Sequence, residues 1–431
     1  MRARTEPQTR VFLFLQGPHG PFFGDLARQL EAAGAKTWRI GFNAGDAAFW
    51  SSKSNYIPFR GTLDDWQATI KTTLSELGVT DLVLYGDTRP IHAKAISEAQ
   101  ARGIKVHVFE EGYLRPYWVT YELGGANGHS RLMEMSIGDM QQLFDGQSYD
   151  KPTPPSHWGD MRQHVFYGAL YHWCVLAMNR SYPNFEPHRD LNVGEEFRLH
   201  LKRLLLMPLH AAERHIATRR VRRGAFPYHL ALLQLEHDSS FRDHGPFDSQ
   251  SDFISTVIAG FAKGAPRHHH LVFKAHPLED GRVPVRSEIM RCARSHGLEN
   301  RVHFLRGGKL ARLLDEAQSA TTVNSTAAQQ ALWRSLPVRA FGEAVYSKPE
   351  LVSSQALMDF FANPQRPDSA AYSHFRDFLL ATSQLPGSYY AGNGRAQLLR
   401  ALPDRMLRAQ DPYANVGSKI AALQQQFTVV S

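Results

Sequence analysis

The chain has 431 residues, of which 43% are apolar and 21% are charged. This length exceeds the size at which one hydrophobic core usually stops growing, so the sequence predicts a globular protein of two domains. Lys and Arg outnumber Asp and Glu by 49 to 41, and the formal net charge of +8 favours anionic partners such as nucleotides, anionic lipids or acidic sugars, whereas no motif indicates nucleic acid.

The two cysteines, Cys174 and Cys292, lie far apart and lack metal-ligand spacing, so we expect neither a disulfide framework nor a zinc site. The apolar run from Val11 to Leu15 is too short for the core of a signal peptide. No stretch approaches the roughly 18 uninterrupted apolar residues that cross a bilayer. We therefore expect a cytoplasmic protein whose contact with any membrane is peripheral.

The first half of the chain alternates short apolar strands with amphipathic helices. The predicted strands are 10–15, 37–42, 81–85 and one that begins at 104 and runs into Glu110. The predicted helices are 23–33, 63–77 and 92–102. Such alternation indicates a parallel, doubly wound sheet.

The strand that begins at Ile104 ends in two carboxylates and a glycine, Glu110, Glu111 and Gly112. Ligands of open α/β sheets bind beyond the carboxyl ends of the strands, so both glutamates are candidate catalytic residues. If the extended geometry continues through the pair, the two side chains point to opposite faces, and we assign Glu111 to the ligand side. Gly112 allows a sharp turn or a close approach to a ligand. An isolated Glu-Glu-Gly motif is also typical of a solvated turn.

Polar and glycine-containing loops follow the strands of this first half, and parallel strands bring such loops to one edge of the sheet. We assign six residues to acceptor binding or to the walls of a cleft: Gln16, Gly17, Asn43, Asp46, Asp87 and Arg115. The segment 43–46 is predicted to be an exit loop. The loop 16–21 matches neither the dinucleotide nor the P-loop pattern, so acceptor contact and ordinary turn chemistry both remain open for it.

The middle of the chain changes character. Residues 130–187 show little periodicity and predict an irregular, helix-bearing insertion, whereas 195–223 has apolar residues at helical spacing and a basic end with Arg219, Arg220, Arg222 and Arg223. A basic amphipathic helix of this kind can rest on anionic lipid or bind an acidic ligand. It can also be a core-facing helix whose basic end is solvated and complements the helix dipole.

The alternation of strands and helices resumes after Gly224. The predicted strands are 228–235, 269–274, 301–305, 320–323 and 337–341. The predicted helices are 252–263, 309–317 and 327–334. The sequence therefore predicts a second βα domain of comparable size.

Two features of this second domain favour an anion. Asn324, Ser325 or Thr326 is expected to cap the helix that begins at Ala327, and free backbone donors at a helix start suit a phosphate. His276 precedes Pro277 at a strand end. We assign these five residues, together with Lys274 and Gln234, to the donor side. An ordinary helix cap and a structural histidine remain open as alternatives, and the run His268-His269-His270 is a poor metal site because neighbouring strand residues face opposite ways.

Four separated motifs together carry a family resemblance. They are Phe14-Leu15-Gln16-Gly17-Pro18-His19-Gly20-Pro21-Phe22-Phe23, Phe42-Asn43-Ala44-Gly45-Asp46, Glu110-Glu111-Gly112-Tyr113-Leu114-Arg115-Pro116 and Lys274-Ala275-His276-Pro277. In this order they resemble the capsule polysaccharide synthesis and export proteins of the KpsS/LipB type. The resemblance covers roughly residues 10–350 and the last 80 residues add little to it.

The resemblance implies a GT-B-like fold, in which two Rossmann-like, doubly wound parallel-sheet domains face each other across a cleft. It implies a cytoplasmic glycosyltransferase that transfers Kdo from CMP-β-Kdo to a phosphatidylglycerol-type or lysophosphatidylglycerol lipid, starting the capsular linker. Glu111 is then the catalytic residue, His276 contacts the CMP phosphate, and Ser325 and Thr326 support it. Because the chain has Glu-Glu where a relative has Glu-Asp, which carboxylate acts stays open.

On this interpretation, Glu111 either deprotonates the acceptor hydroxyl or attacks the sugar, and retention of the β configuration favours an enzymic nucleophile. Cations around the departing CMP remove the need for a metal, so we expect no metal and no other cofactor. One alternative is a non-catalytic scaffold of capsule assembly and export. Another is a GT-B enzyme that uses a different nucleotide sugar, such as a UDP-hexose.

The expected domain organisation is linear. It comprises an acceptor-side Rossmann-like domain (1–190), a basic connecting helix (191–224), a CMP-donor Rossmann-like domain (225–365) and C-terminal helices (366–431). The expected partners are the CMP-sugar donor, the lipid acceptor, the anionic surface of the inner membrane and other capsule assembly proteins.

Overall fold

The computed structural model describes residues 9–116, 118–144, 161–186, 193–276, 279, 283–408 and 413. The described residues form two compact units. Unit 1 combines the residues up to Arg131 with those between Gln142 and Glu186 and those from Phe378 on. Unit 2 combines Leu132–Gln141 with the residues between Val193 and Asp377. Each unit therefore contains more than one stretch of chain, unlike the consecutive domains expected from the sequence.

The strands are numbered in chain order across both units. Unit 1 contains β1 (Val11–Phe14), β2 (Lys36–Gly41), β3 (Tyr56–Pro58), β4 (Asp81–Tyr85), β5 (Lys105–Glu111), β6 (Trp118–Leu123) and β12 (Gln384–Pro386). They form one sheet in the order β12-β6-β5-β4-β1-β2-β3. The strands β1 to β5 are parallel, β6 is antiparallel to β5, and β12 is antiparallel to β6.

The helices are likewise numbered in chain order. They are α1 (Phe22–Ala32), α2 (Ala44–Ala48), α3 (Trp66–Glu76), α4 (Pro90–Gln100), α5 (Ile137–Phe144), α6 (Met161–Met178), α7 (Val193–Arg223), α8 (Ser239–His244), α9 (Gln250–Gly264), α10 (Val285–Ser295), α11 (Leu310–Leu314), α12 (Ala328–Leu332), α13 (Leu357–Ala362), α14 (Ser369–Ala381) and α15 (Gly392–Arg408).

Alternate residues of β1 show why the sheet of unit 1 is covered on both faces. Phe12 and Phe14 pack in a core with residues of α1 and α15, whereas Leu13 packs in a second core with residues of α3 and α4. Because neighbouring strand residues point to opposite faces, the continuous apolar run of this strand requires helices on both sides. Unit 1 is therefore doubly wound, as the sequence predicted.

Unit 2 contains the second parallel sheet. Its strands are β7 (Tyr228–Leu232), β8 (His270–Lys274), β9 (Val302–Leu305), β10 (Ser319–Thr322) and β11 (Val338–Ala340), in the order β11-β10-β7-β8-β9. A core of residues from α9, α10 and α13 packs with β7, β8 and β9. The prediction of two Rossmann-like α/β domains with parallel sheets is confirmed.

The sequence analysis missed β3, β6 and β12, so the sheet of unit 1 is mixed rather than wholly parallel. Two of the missed strands have only three residues each. Segments of this length are too short to show a period. The C-terminal region, expected to be helical, therefore contributes the edge strand β12 to unit 1.

Two predicted local features need correction. The expected exit loop at 43–46 forms most of α2, whose first turn is capped by the Asn43 side chain as it accepts a hydrogen bond from the Asp46 N–H. The helix expected at 327–334 is only α12, with five residues, and its N-cap residue Ala327 has no capping side chain. By contrast, the long basic helix is present as α7, and α5 and α6 lie in the region expected to be irregular and helix-bearing. No helix of the described residues is both long enough and apolar enough to cross a membrane.

Candidate functional site

Strand β5 carries its two glutamates to the carboxyl edge of the sheet in unit 1. Extended geometry persists through both residues, with Glu110 opposite Thr120 and Glu111 opposite Val119 of β6. Both glutamate side chains are half-buried. The condition for assigning them to opposite faces is therefore met, because neighbouring strand residues alternate.

The Glu110 side chain contacts backbone groups of neighbouring residues. Its Oε1 accepts a hydrogen bond from the Glu111 N–H at 3.0 Å. A Cβ atom added to Gly86, at the end of β4, would lie 3.4 Å from Glu110 Oε2, and Gly86 has a φ of +71°. Glycine at 86 therefore allows the turn after β4, and the Glu110 carboxylate lies in ordinary contact distance of it.

Gly112 has a packing role. A Cβ atom at this position would lie 2.1 Å from the carbonyl oxygen of Trp118. No flexible side chain can give way there, because the obstructing atom belongs to the backbone at the start of β6. The close approach expected at Gly112 is therefore made to the neighbouring strand.

Three tyrosines surround the glutamates. Tyr85 donates a hydrogen bond to Glu111 Oε1 at 3.3 Å, and Tyr389 donates to the carbonyl oxygen of Glu110 at 2.6 Å. The rings of Tyr85 and Tyr389 lie 5.5 Å apart, edge to face. Burial, and then the charge of Glu111, raises the pKa of Tyr85, Tyr389 and Tyr390. All three phenols therefore remain protonated donors at neutral pH.

A histidine and an arginine complete the surroundings of Glu111. His164 of α6 packs edge-on against Tyr390, with 4.2 Å between ring centroids. Burial lowers the pKa of His164; Glu111 opposes this shift, and Arg115 adds to it. The imidazole is therefore neutral at neutral pH. Arg115, assigned to the acceptor side, is exposed and donates to the carbonyl oxygen of Gly112 at 3.3 Å.

Gln16 lies at the end of β1 and is buried. Its Oε1 accepts a hydrogen bond from Arg89 at 3.1 Å, and the guanidinium of Arg89 lies 6.0 Å from the centre of the Tyr85 ring. Gln16 therefore positions a cation beside the tyrosines. Gly17, by contrast, is buried and packs on Phe23, whose ring lies 2.5 Å from where a Cβ atom would be. In unit 1, Gly17 therefore has a packing role, and its assignment to a cleft stays a prediction.

Asn43 and Asp46, assigned to the acceptor side, have structural roles in unit 1. Each is only 1% exposed. The Asp46 carboxylate pairs with Arg39 at 3.0 Å and accepts a hydrogen bond from the Phe42 N–H at 2.9 Å. Asn43 donates to the Tyr171 hydroxyl of α6 at 2.7 Å. These contacts fasten α2 to α6, and the cleft assignment of both residues stays a prediction.

Asp87 follows β4 and is 3% exposed. Its Oδ2 accepts a hydrogen bond from the Ala126 N–H at 2.8 Å and lies 3.3 Å from Nδ1 of His129. Its Oδ1 is buried without a hydrogen-bond partner among the described residues. Asp87 therefore anchors the loop after β6 and holds an exposed histidine at the same edge as the glutamates.

The donor-side assignments lie in unit 2, where Lys274 ends β8. Lys274 is 6% exposed, and burial lowers its pKa to about 8. Its ammonium has one contact in the described part of the chain, with the carbonyl oxygen of Ala275 at 3.5 Å. A buried cation without a carboxylate partner favours an incoming anion, because an anion removes much of the cost of burying the charge.

The other donor-side residues divide into two groups. Gln234 and Asn324 bond to each other, with Gln234 Nε2 2.7 Å from Asn324 Oδ1, and both are buried. Asn324 therefore does not cap a helix as predicted; it joins the loops after β7 and β10. Ser325 Oγ accepts a hydrogen bond from the Ala327 N–H at 3.2 Å. Ser325, Thr326 and His276 are half-buried, whereas Pro277 lies outside the described residues.

The sequence analysis did not identify five residues around Glu111: Tyr85, Arg89, His164, Tyr389 and Tyr390. Tyr389 lies 279 positions from Glu110 in the sequence. His164 lies in the segment that showed little periodicity. Nothing in a single sequence connects positions as distant as Tyr389 and Glu110, whereas Tyr85 and Arg89 lie at the end of the strand predicted at 81–85 and in the loop after it.

The geometry of unit 1 provides a carboxylate pair, protonated phenols, a neutral imidazole and two arginines. This set can accept a proton from an alcohol, or attack an electrophilic carbon, beside cations that bind anionic groups. Among the described residues, no group of three or more His, Cys, Asp or Glu is placed to hold a metal ion.

Comparisons with known proteins place the chain in a family. A family model described as "Capsule polysaccharide biosynthesis protein" matches residues 80–390. The capsule polysaccharide export protein KpsS of Escherichia coli is 29% identical over 386 residues, which cover 88% of this chain and 97% of KpsS. The capsule polysaccharide modification protein LipB of Neisseria meningitidis is 30% identical over 385 residues, covering 88% of this chain and 91% of LipB.

A solved structure of Thermosulfurimonas dismutans KpsC, a "beta Kdo 2,7 transferase", matches with a TM-score of 0.38 and 12% identity, over 86% of this chain and 99% of that chain. The family match covers most of the chain, including the β5 glutamates, Lys274 and Tyr389. The chain therefore belongs to the family of capsule polysaccharide biosynthesis proteins.

Proposed function

We propose that the protein is a glycosyltransferase that transfers Kdo from CMP-β-Kdo to a phosphatidylglycerol-type lipid, including its lyso form, and so starts the capsular linker. It acts in the cytoplasm at the anionic surface of the inner membrane, beside other capsule assembly proteins. In the transfer, the bond between the anomeric carbon and the phosphate oxygen of CMP breaks, and a bond to the acceptor oxygen forms. The acceptor hydroxyl loses its proton.

One observation carries the proposal: Glu111 stands at the carboxyl end of β5, and its side chain has one hydrogen-bond donor among the described residues, the Tyr85 phenol at 3.3 Å. A carboxylate that is fully paired inside a protein has no capacity to accept a further proton. Glu111 keeps that capacity and is half-buried beside Tyr85. Membership of a capsule polysaccharide biosynthesis family supports sugar transfer as the chemistry that uses it.

The surroundings suggest how the roles divide. Glu111 takes the acceptor proton or forms a covalent sugar intermediate, which transfer with retention of configuration favours. Glu110, held by the Glu111 N–H and lying beside Gly86, positions the end of the strand. Arg89 and Arg115 suit the phosphate of the lipid acceptor or the carboxylate of Kdo, since arginine binds both groups with two hydrogen bonds.

The donor-side assignment rests on Lys274 of unit 2. The phosphate of CMP would provide the anion that this buried ammonium lacks in the described part of the chain. His276, Ser325 and Thr326 are half-buried and can add hydrogen bonds to the same phosphate. We expect transfer without a metal ion or other cofactor.

The test is a reconstituted reaction. Purified protein is incubated with CMP-β-Kdo and lysophosphatidylglycerol, with and without EDTA, and Kdo-lipid and free CMP are measured by mass spectrometry. Equal amounts of both products, unaffected by EDTA, support the proposal. A protein that binds neither CMP nor the acceptor, and releases no CMP, is the scaffold of the alternative hypothesis. Binding of UDP in preference to CMP indicates the other nucleotide-sugar enzyme.

A further inference from the structure

Helix α6 in unit 1 exposes an apolar face. The residues Val165, Phe166, Trp173 and Leu176 are between 50% and 61% exposed. With Ala169, which is also exposed, they occupy about one third of the helix circumference, since an α-helix turns about 100° per residue. We call these five residues the apolar stripe: Val165, Phe166, Ala169, Trp173 and Leu176.

The opposite side of α6 is already used by the fold. Tyr171 stacks on His19 with 4.2 Å between ring centroids, and its hydroxyl accepts a hydrogen bond from Asn43. His164 packs against Tyr390 beside Glu111. The helix is therefore fixed to the candidate site by one side, while the apolar stripe lies on the other side and is exposed.

The charged residues in and next to α6 indicate which kind of partner the apolar stripe can bind. From Met161 to Phe185 the chain contains no Asp or Glu, whereas it contains Arg162, Arg180 and two histidines. Arg180 is exposed just beyond the last turn. A helix face with Trp and Phe but without carboxylates suits the headgroup region of an anionic bilayer, where indole rings are favoured and basic residues meet lipid phosphates.

We propose that α6 is an interfacial helix that docks unit 1 on an anionic phospholipid bilayer, with the apolar stripe inserted below the headgroups. One side of the helix is buried in protein, so only the stripe can enter the bilayer and the helix lies along its surface. The docked helix holds the membrane one helix diameter from the tyrosines around Glu111, about 10 Å. That a lipid acceptor reaches Glu111 by this route, and that the bilayer is the inner membrane, rest on the proposed function; docking of α6 on anionic lipid does not require Kdo transfer.

The experiment measures vesicle binding in the absence of any sugar donor, so its result does not depend on whether Kdo transfer occurs. Full-length protein and the variant F166S/W173S are sedimented with vesicles of phosphatidylglycerol and phosphatidylcholine, and with vesicles of phosphatidylcholine alone. We expect wild-type protein to prefer the anionic vesicles and the variant to bind them at least about tenfold more weakly.

The matched control is Trp333→Ser in unit 2. Trp333 is 66% exposed and contacts Arg376. The substitution therefore removes an indole of comparable exposure that does not belong to α6. This control is expected to bind vesicles like the wild type. Equal binding by F166S/W173S and W333S overturns the proposal, as does equal binding of the wild type to both kinds of vesicle.

A second measurement covers the case in which the double variant does not fold. Tryptophan fluorescence is recorded with vesicles that contain brominated lipids, for the wild type and the milder variants Trp173→Phe and Trp333→Phe. Quenching that is lost in W173F and kept in W333F supports insertion of the stripe. Quenching that survives in W173F overturns it. Self-association that depends on the stripe, without vesicle binding, also overturns the proposal, because a second copy of the chain then covers it.

Discussion

The two edges of the sheet in unit 1 each hold a carboxylate, and the two carboxylates differ in their hydrogen-bond partners. At the amino edge, Asp81 is fully buried and is bonded by Arg10 at 2.6 Å and His107 at 2.7 Å. Burial alone would raise its pKa, but these hydrogen bonds lower it to about 2. At the carboxyl edge, Glu111 is half-buried, and its carboxylate accepts one hydrogen bond within the described residues, from the Tyr85 phenol at 3.3 Å. A carboxylate held by several hydrogen bonds, one of them from an arginine, stabilises the fold, whereas Glu111 has no arginine or lysine hydrogen-bonded to it in the part of the chain that the structure describes.

Unit 2 repeats the contrast with two lysines of equal exposure. Lys274 and Lys348 are each 6% exposed. The ammonium of Lys348 donates to the carbonyl oxygens of Leu132 and Met133 at 2.7 and 3.0 Å, whereas the ammonium of Lys274 has one hydrogen bond in the described part of the chain, to the carbonyl oxygen of Ala275 at 3.5 Å. The comparison teaches that the number of partners, rather than burial, separates a structural charge from a candidate functional one.

The largest expected effect is on activity at Glu111. Glu111→Gln keeps the size of the side chain but removes the proton acceptor, so we expect Kdo transfer to fall by about 10² to 10⁴-fold, with folding little changed. Initial rates of Kdo-lipid formation and urea unfolding curves measure the two quantities. Transfer at near-normal rates would remove Glu111 from the mechanism. Glu110→Gln, in the same strand, tests whether the second carboxylate acts instead.

Asp81→Asn is the matching change at the opposite edge, with the opposite expected result. It leaves Arg10 and His107 without their buried partner, so we expect the free energy of unfolding to fall by about 3 kcal/mol. Transfer per folded molecule should stay unchanged. Urea unfolding at pH 7 and active-site titration check both. A stable but inactive D81N would contradict the division of roles between the two edges.

For Lys274→Met we expect CMP to bind at least about tenfold more weakly and the fold to gain about 1 kcal/mol, because a buried charge without a partner is removed. The pH dependence follows from the pKa of about 8. The ammonium is charged below this pH, so CMP affinity of the wild type falls as the pH rises through about 8, and K274M loses that dependence. Calorimetric titration with CMP between pH 6.5 and 9 measures it.

Lys348→Met is the control for this prediction. It removes the donor to two carbonyl oxygens, so it should lower the free energy of unfolding by about 2 kcal/mol and leave CMP affinity unchanged. If both variants weaken CMP binding equally, Lys274 has no special role in the donor site.

How much of the fold and of the candidate site could be predicted depends on how far apart the contacting residues lie in the sequence. The strand ending in Glu110 and Glu111, and its place at a sheet edge, followed from alternation and from the strand–helix order, which are local signals. The partners that decide the role of each charge are distant: Tyr389 reaches Glu110 across 279 positions, and Gln234 reaches Asn324 across 90. Asn43 and Asp46 are buried because α6 packs on them. The sequence of α6 is apolar on both sides and shows little periodicity, so this packing could not be predicted.

The smallest expected effect concerns the basic end of α7. There, exposed arginines with and without an ion pair can be compared, as the buried charges were above. Arg219, Arg220 and Arg223 are exposed and have no ion pair within the described chain, whereas Arg222 lies 3.5 Å from Glu316. Replacing all four with serine should weaken binding to anionic vesicles by about fivefold at physiological salt, because exposed charges are screened. Salt-dependent vesicle sedimentation measures this.

The control for this change removes four arginines that each pair with a nearby carboxylate: Arg28, Arg102, Arg291 and Arg334. It changes the net charge by the same amount, so a general electrostatic effect would weaken binding equally in both variants. A loss confined to the α7 variant indicates that this end of the helix meets the lipid. Unchanged binding in the α7 variant assigns its arginines to solvation alone, and the apolar stripe of α6 then accounts for membrane contact without them.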